Sequence, residues 1–380
     1  MDQKRKFVNS ALNDDVTFTE LCAEYGISRK TGYKWLERFS TDGPRGLADL
    51  SRAPTSNAHA VSEDAIIQAI TIRIKHMTWG PKKIRQVIAR NLGADSAPGV
   101  SSLYRILKKA NLVKKRRVRS VNPAKRIQNR IDPKECNDVW AVDFKGWWMT
   151  ADSRRCTPLT ITDRFSRLVI RAQRVDNMTT EVVMAVLESA FREYGLPKVI
   201  RSDNGTPFAT TNGLHGLSRL AVWWMVLGIV PDRIDPGKPA QNGGHERMHR
   251  DLKAEVQNTI LVDLAESQAA LDAWRQEFNE ERPHEALGMR TPAEVYIPSP
   301  RKYESFEELQ YPEGFLARKV FSSGKIKLNS QQIHISKAFA GYHLGIKPMD
   351  ERTMSVWLGE FQIGNIDLVT VSFSAEGVKI

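Results

Sequence analysis

Residues 138–148 read "DVWAVDFKGWW". A short run of β-branched and aromatic residues reads as a strand, and this one carries Asp143 inside it or at its end. An isolated carboxylate between Val142 and Phe144 is costly to bury unless it is paired or holds a metal ion. Working outward, "CTPLTITDRFSRLVIRAQRV" (156–175) reads as a strand, a turn at Asp163 to Ser166, and a second strand. "TTEVVMAVLESAFREYG" (179–195) is an amphipathic helix with a glycine stop. "PKVIRSDNGTPF" (197–208) is a strand that breaks at Asp203-Asn204-Gly205, "LSRLAVWWMVLG" (217–228) a helix, and "IVPDRID" (229–235) a short strand. A last helix opens after Gly243-Gly244. The order β-β-β-α-β-α-β-α predicts an α/β core with a five-stranded mixed sheet.

Two other textures flank this core. Residues 1–50 read as three short helices. In "FTELCAEYGISRKTGYKWLERF" (18–39) a turn at Tyr25-Gly26-Ile27 separates two of them, and Ser28 caps the second. Ala23, Ile27, Tyr33 and Leu36 are expected in the small core. Arg29, Lys30, Thr31 and Lys34 are expected to face outward, the geometry of a helix-turn-helix recognition helix. After a polar linker at 49–57, residues 58–112 form a second helical unit. Ser62 caps its first helix, Pro81 sits in the first turn of the next, and "SSLYRILKKANL" (101–112) is the third, offering Ser101, Arg105 and Lys108. "VKKRRVRSVNPAKR" (113–126) has seven basic residues and no acid, so residues 113–136 read as a linker that tracks phosphates through Lys114, Lys115, Arg116, Arg117 and Arg119. Residues 305–380 alternate in short runs between turns and predict a small antiparallel β-barrel or sandwich.

Charge follows this division. The chain of 380 residues has a net charge of +12, but residues 1–136 hold 27 Lys/Arg against 13 Asp/Glu, and residues 137–380 hold 29 against 31. A polyanion is therefore expected on the N-terminal third. No apolar run reaches the roughly 20 residues of a membrane span, and the charged start lacks the apolar segment of a signal peptide. Three scattered cysteines give neither a disulfide framework nor a metal motif, which fits a cytoplasmic protein.

Three acids stand at informative places: Asp143 on the first strand, Asp203 where the later strand breaks, and Glu246 at a helix start. Carboxylates at strand ends and helix starts can converge at one sheet edge. A set of oxygen ligands without thiolates suits Mg²⁺ or Mn²⁺, and two such ions can serve phosphodiester displacement. Asp163 competes but has Arg164 and Arg167 beside it for structural pairing; Asp138, Asp232 and Asp235 are also near. A different chemistry is spelled by His245-Glu246-Arg247-Met248-His249, a literal H-E-x-x-H. On a helix that pattern can hold zinc with the glutamate as base, although no third ligand is marked by spacing.

"WAVDFK", "IRSDNGTPF" and "DPGKPAQNGGHERMHRDLK" resemble the three acidic motifs of DDE transposases of the retroviral-integrase superfamily, the bacterial insertion-sequence type above all. "FNEERPHEALGMRTPAEVY" (278–296) resembles the segment that follows their glutamate helix. The resemblance spans about the whole chain and implies an RNase H-like catalytic core at 137–298. It implies that Asp143, Asp203 and Glu246 are the catalytic, metal-binding triad with two Mg²⁺ ions, and that Lys253 contacts substrate DNA. It further implies cleavage and strand transfer on double-stranded DNA, at terminal inverted repeats and target, by at least a dimer. The interval from Asp203 to Glu246, 43 positions, is wider than is usual for that family. A DNA-binding regulator derived from a transposase is the alternative.

Overall fold

The computed structural model describes residues 2–13, 16–49, 61–113, 131–210, 214–235, 243–304 and 308–375. The basic candidates Lys114, Lys115, Arg116, Arg117 and Arg119 lie outside them. The chain divides into two compact units, 1–61 and 62–380.

The first unit contains α1 (Asp2–Leu12), α2 (Phe18–Glu24) and α3 (Arg29–Asp42). A capping box at Thr17 starts α2, and the Ser28 hydroxyl accepts the Thr31 N–H to start α3. The core is Phe7, Val8, Leu21, Cys22 and Leu47, with Ile27, Trp35, Leu36 and Phe39 packed against it. Tyr33, expected inside, is exposed, and so is Ala23. The reason is Gly32: a Cβ there would meet Phe7, Cys22 and Phe18 within 3.0 Å. The glycine lets α3 approach α2, so the inward stripe runs 32, 35, 36, 39 rather than through 33.

Within the second unit, α4 (Glu63–Lys75), α5 (Pro81–Leu92) and α6 (Val100–Lys109) enclose Ala69, Trp79, Ile84, Ile88, Leu103 and Leu107. Ser62 caps α4 and Pro81 opens α5.

The central sheet is built from β1 (Val139–Phe144), β2 (Trp148–Met149), β3 (Arg155–Asp163), β4 (Val169–Val175), β5 (Val199–Ser202) and β6 (Val230–Arg233). β3 pairs antiparallel with β4 and β1, and β1–β5–β6 run parallel. The sheet has six strands rather than the expected five. The extra one is the two-residue β2, which pairs Trp148 with Cys156 at the start of β3. Its pattern is too short to read as a strand in sequence.

The sheet is covered on both faces. Trp140 and Val142 of β1 and Leu159 and Ile161 of β3 join the cluster that contains residues of α7 (Thr180–Tyr194) and α8 (Arg219–Val226). Cys156, Val169 and Ala172 join the residues of α9 (Gly243–Leu252) and α10 (Leu264–Glu280). Alternation along a strand therefore sends Asp143, Thr160 and Thr162 to the α9 face. The Trp223–Trp224 pair is core, 6% and 1% exposed.

The C-terminal strands β7 (Leu316–Lys319), β8 (Lys325–Leu328), β9 (Gln331–His334), β10 (His343–Pro348), β11 (Thr353–Leu358), β12 (Phe361–Asp367) and β13 (Ser372–Ser374) do not close into the predicted barrel. Five form an open sheet in the order β13-β12-β11-β10-β7, and β8–β9 is a separate hairpin. Ile326, Leu328 and Ile333 of the hairpin share a core with Leu344, Val356 and Ile363 of the sheet. Alternation reports only that one face of each strand is buried; it is identical for a closed barrel and for layered sheets. Among the described residues no helix is long and apolar enough to cross a membrane.

Candidate active site

Strand register brings the first two acids together. β1 and β5 are parallel neighbours with Ala141 opposite Arg201. Asp143 and Asp203 each lie two residues further, so both stand at the C-terminal ends of adjacent strands, where open α/β sheets bind ligands. Asp203 turns its Oδ1 to accept the Gly205 N–H at 3.0 Å, and Asn204 Nδ2 donates to the Ile234 carbonyl at 2.8 Å, pinning the break to the strand beyond. Glu246 is exposed in the first turn of α9, the helix that packs on the same face.

Electrostatics record the convergence. The Asp143 carboxyl is pushed up to about 7, first by burial and then by the negative charge of Asp203, with Glu246 adding to it; a backbone N–H of Phe144 and the Lys145 ammonium oppose the rise. Three acids thus meet at a place that favours a cation. Their ligand atoms do not all lie within 4.8 Å of one another, unlike those of Asp143, His245 and His249.

The histidines have another task. Thr160 donates to the Asp143 carbonyl at 3.1 Å, and His245 Nε2 and His249 Nε2 both lie 2.7 Å from that hydroxyl. A hydroxyl has one proton and two lone pairs, so both imidazoles donate to it. Thr162 lies 3.0 Å from His245 Nδ1 and donates to it. Both nitrogens of His245 are therefore engaged, and the residue is 1% exposed. His249 Nδ1 faces Asp143 Oδ2 at 3.9 Å. Burial, then Lys145, pushes His249 down to about 3; burial, then His249 and Arg164, also lowers His245. The pair is neutral scaffolding under the first acid. The zinc reading fails on this geometry because His245 has no nitrogen left for a metal.

The competing acids are occupied. Asp163 is fully buried and accepts the Asn137 N–H at 2.8 Å, the Ser166 N–H at 2.7 Å and the Ser166 hydroxyl at 2.6 Å. Its partners are these groups and not the side chains of Arg164 and Arg167. Asp232 pairs with Arg201 at 2.7 Å, and Asp138 with Lys198 at 2.9 Å.

Lys145 is a residue that sequence reading missed. Its ammonium is lowered by burial and then by Lys253, while Asp143 raises it, which sets Lys145 between Asp143 and Lys253. The signal was present two positions after Asp143, yet a lysine at a strand end is common. Lys253 is exposed and begins the π-helical turn Lys253–Gln257. Such turns recur at functional sites.

Of the helical candidates, Arg29, Lys30 and Lys34 on α3 and Ser101, Arg105 and Lys108 on α6 are exposed, and Thr31 is half-buried. Three basic side chains of α4 and α5 behave differently. Lys75 reaches Glu281 at 3.4 Å, Lys82 reaches Glu285 at 2.9 Å and Arg90 reaches Glu294 at 3.0 Å. These three clasp the acidic side of α10 and the segment after it, whereas among the described residues Arg105 and Lys108 of α6 make no such ion pair. Trp147 is exposed under the Arg155 guanidinium, whereas Trp148 is buried.

Comparison with known proteins places these parts. Integrase core domain models match residues 133–239 and 227–292. A helix-turn-helix domain model matches 3–55, a homeodomain-like one 31–107, and the C-terminal domain of IS481 family transposases 316–373. A protein of insertion element IS407 from Burkholderia multivorans is 28% identical over 253 residues, covering 65% of this chain and 87% of its own. A protein of insertion element IS476 from Xanthomonas euvesicatoria is 26% identical over 251 residues, covering 65% and 70%. Transposase InsD of insertion element IS2 from Escherichia coli is 25% identical over 243 residues, covering 59% and 77%. With its helix-turn-helix N-terminus and RNase H-like core, the chain is similar along most of its length to the integrase-core transposases of bacterial insertion elements.

Proposed function

We propose that this transposase is a polynucleotidyl transferase that cuts DNA at the ends of its element and joins the freed 3′-hydroxyl to a second phosphodiester. The observation that carries the reading is the placement of Asp143 and Asp203 at the ends of adjacent parallel strands with Glu246 on the helix over the same face, where both acids push up the half-buried Asp143 carboxyl. Carboxylates gathered at one place repel one another, and a bound cation offsets that repulsion. Asp143, Asp203 and Glu246 would hold two Mg²⁺ or Mn²⁺ ions, whose Lewis acidity serves the attacking and leaving oxygens of an in-line displacement.

The chain's own residues supply the rest. Neutral His249 sets the height of the Asp143 strand end through Thr160 without cancelling its charge. Lys145 and Lys253 are cations at the rim, suited to the non-bridging oxygens of the scissile strand. The exposed basic faces of α3 and α6, with the linker at 113–136, would bind the double-stranded terminal repeats; phosphate contacts fix register and base contacts read sequence. Joining two ends requires at least a dimer in the act.

The test incubates the full chain with duplexes carrying its element's ends and Mg²⁺ or Mn²⁺, and resolves the strands on a gel. Wild type is expected to cleave and join, and Asp143→Asn to bind the same duplexes without cutting them. A wild-type chain that binds ends in either metal and never cuts them supports the regulator instead.

A further inference from the structure

A second ligand site stands on the other side of the glutamate helix. A cavity of about 370 Å³ is lined by Lys83 of α5, Arg164 and Arg167 of the β3–β4 turn, and Arg247 of α9. Gly244 and His284 border it. A Cβ at Gly244 would meet the Arg164 guanidinium, which lies against the start of α9 and would have to swing aside for any larger residue.

Three acids reach the same walls, and each already has its own partner. Asp163 is taken by Asn137 and Ser166, Asp251 by Arg282 at 2.7 Å, and Glu285 by Lys82 at 2.9 Å. Among the described residues none of the four cations forms an ion pair. Neighbouring cations press on them instead. Burial and then Arg282 push Lys83 down to about 8, against the opposing pull of Asp251, Glu255 and Glu285. Burial, then Arg201 and Arg167, push Arg164 down to about 10. Arg167 is lowered by burial and then by Arg247. His284 Nε2 is buried without a hydrogen-bond partner. Guanidinium groups gathered where the neighbouring carboxylates are already engaged by other partners carry charge that is costly to hold, and a phosphate, which matches their planar fork, would relieve the cost.

We propose that this cavity binds a phosphate of the DNA backbone. The site rests on the reading of the chain as a DNA-acting enzyme and adds a contact outside the acidic centre. It draws on three separate elements, so a seated phosphate ties the second helical unit and the β3–β4 turn to the helix that carries Glu246. Arg247 follows Glu246 directly, and DNA held there is aligned with the acids.

The test uses the full chain in EDTA with two probes. One is a labelled duplex, its affinity followed by anisotropy as a function of KCl. The other is inorganic phosphate, followed by thermal shift. Arg247→Gln and Arg167→Gln are compared with wild type and with Lys302→Gln, an exposed lysine elsewhere. Arg247 is itself exposed, and the melting temperature in phosphate-free buffer checks that each variant is folded. Each arginine variant is expected to lower the slope of log affinity against log salt by about one, and to lose the phosphate-induced rise in melting temperature; Lys302→Gln keeps both. Wild-type salt slopes in both arginine variants overturn the proposal. Loss of the phosphate response with unchanged DNA slopes leaves a free-phosphate site and overturns the DNA assignment. A wild-type chain that binds no duplex but still responds to phosphate overturns the DNA reading of the whole chain and reduces the cavity to the same free-phosphate site.

Discussion

Helix α9 contributes to two clusters of opposite sign. On one side Glu246 joins Asp143 and Asp203; on the other Arg247 joins Lys83, Arg164 and Arg167. In each, like charges around a half-buried group move its proton affinity toward the neutral form: Asp143 in the first, Arg164 and Arg167 in the second. They differ in support. The acidic cluster rests on regular structure: two adjacent parallel strand ends, fixed by register, and a first helical turn. The basic one is assembled from a turn, a helix of the second unit and the glycine start of α9. Rigid positioning suits groups that must meet reacting atoms, whereas a long arginine on a turn suits a phosphate whose place is less exacting.

The comparison breaks most sharply at neighbouring residues. Glu246→Gln is expected to lower the cleavage rate by a factor on the order of 10³ or more, the scale of a lost metal ligand, with DNA affinity retained. Arg247→Gln, one position away, is expected to lower affinity and salt slope with much smaller loss of rate at saturating DNA. Equal rate losses in the two variants would merge the two clusters into one.

Asp163→Ala separates a structural acid from the three proposed as catalytic. It leaves the Asn137 and Ser166 N–H groups buried without their acceptor, which costs about 1–3 kcal/mol for each. The expected result is a fall in denaturant midpoint that exceeds that of Asp143→Asn. A stable Asp163→Ala chain with no cleavage activity would instead place Asp163 in the chemistry.

His249→Ala is expected to slow cleavage by about tenfold, since it removes one buried hydrogen bond under Asp143 worth roughly 1 kcal/mol and some packing. Added Zn²⁺ should not restore the rate. A loss as deep as that of Glu246→Gln would make His249 a ligand and not a support.

The smallest effect is a pH dependence. The folded chain holds a proton on Asp143 up to about pH 7, while an unfolded aspartate releases it near pH ~3.9. Between those values the native state binds the extra proton, so this group's contribution to stability is lost as pH rises through the window. In EDTA, melting temperature is expected to fall less in Asp143→Asn than in wild type between pH 5 and pH 8. Mg²⁺ should raise the wild-type value more at pH 8 than at pH 5.

Much of this was legible in sequence where local pattern and position coincide. Asp143 in an apolar strand, Asp203 at a strand break, Ser28 and Ser62 as caps, and Pro81 at a helix start are each decided within a few residues. The misreadings share a cause. Tyr33 was expected inside because it is large and aromatic, but the close approach at Gly32 turns α3 so that Trp35 and Phe39 face the core instead. The barrel was expected because alternation is blind to closure. Arg164 and Arg167 were assigned to Asp163 because they are adjacent in the chain, whereas that acid is satisfied by backbone and serine and the arginines turn to a cavity.

By itself the sequence determined the helices and the longer strands of the core, where the charge lies, and which acids stand at element ends. Hydrogen-bonding period, capping and composition are local properties, and a single chain states them outright. Only the tertiary structure decided what each group does. His245 is a buried support because Thr160 and Thr162, more than 80 residues away, take both of its nitrogens. Arg164, Arg167, Lys83 and Arg247 become one site because sheet packing and the α5 docking bring three distant segments to one cavity. Partnership in a half-buried place depends on who else is near, and proximity across long stretches of chain is what folding adds.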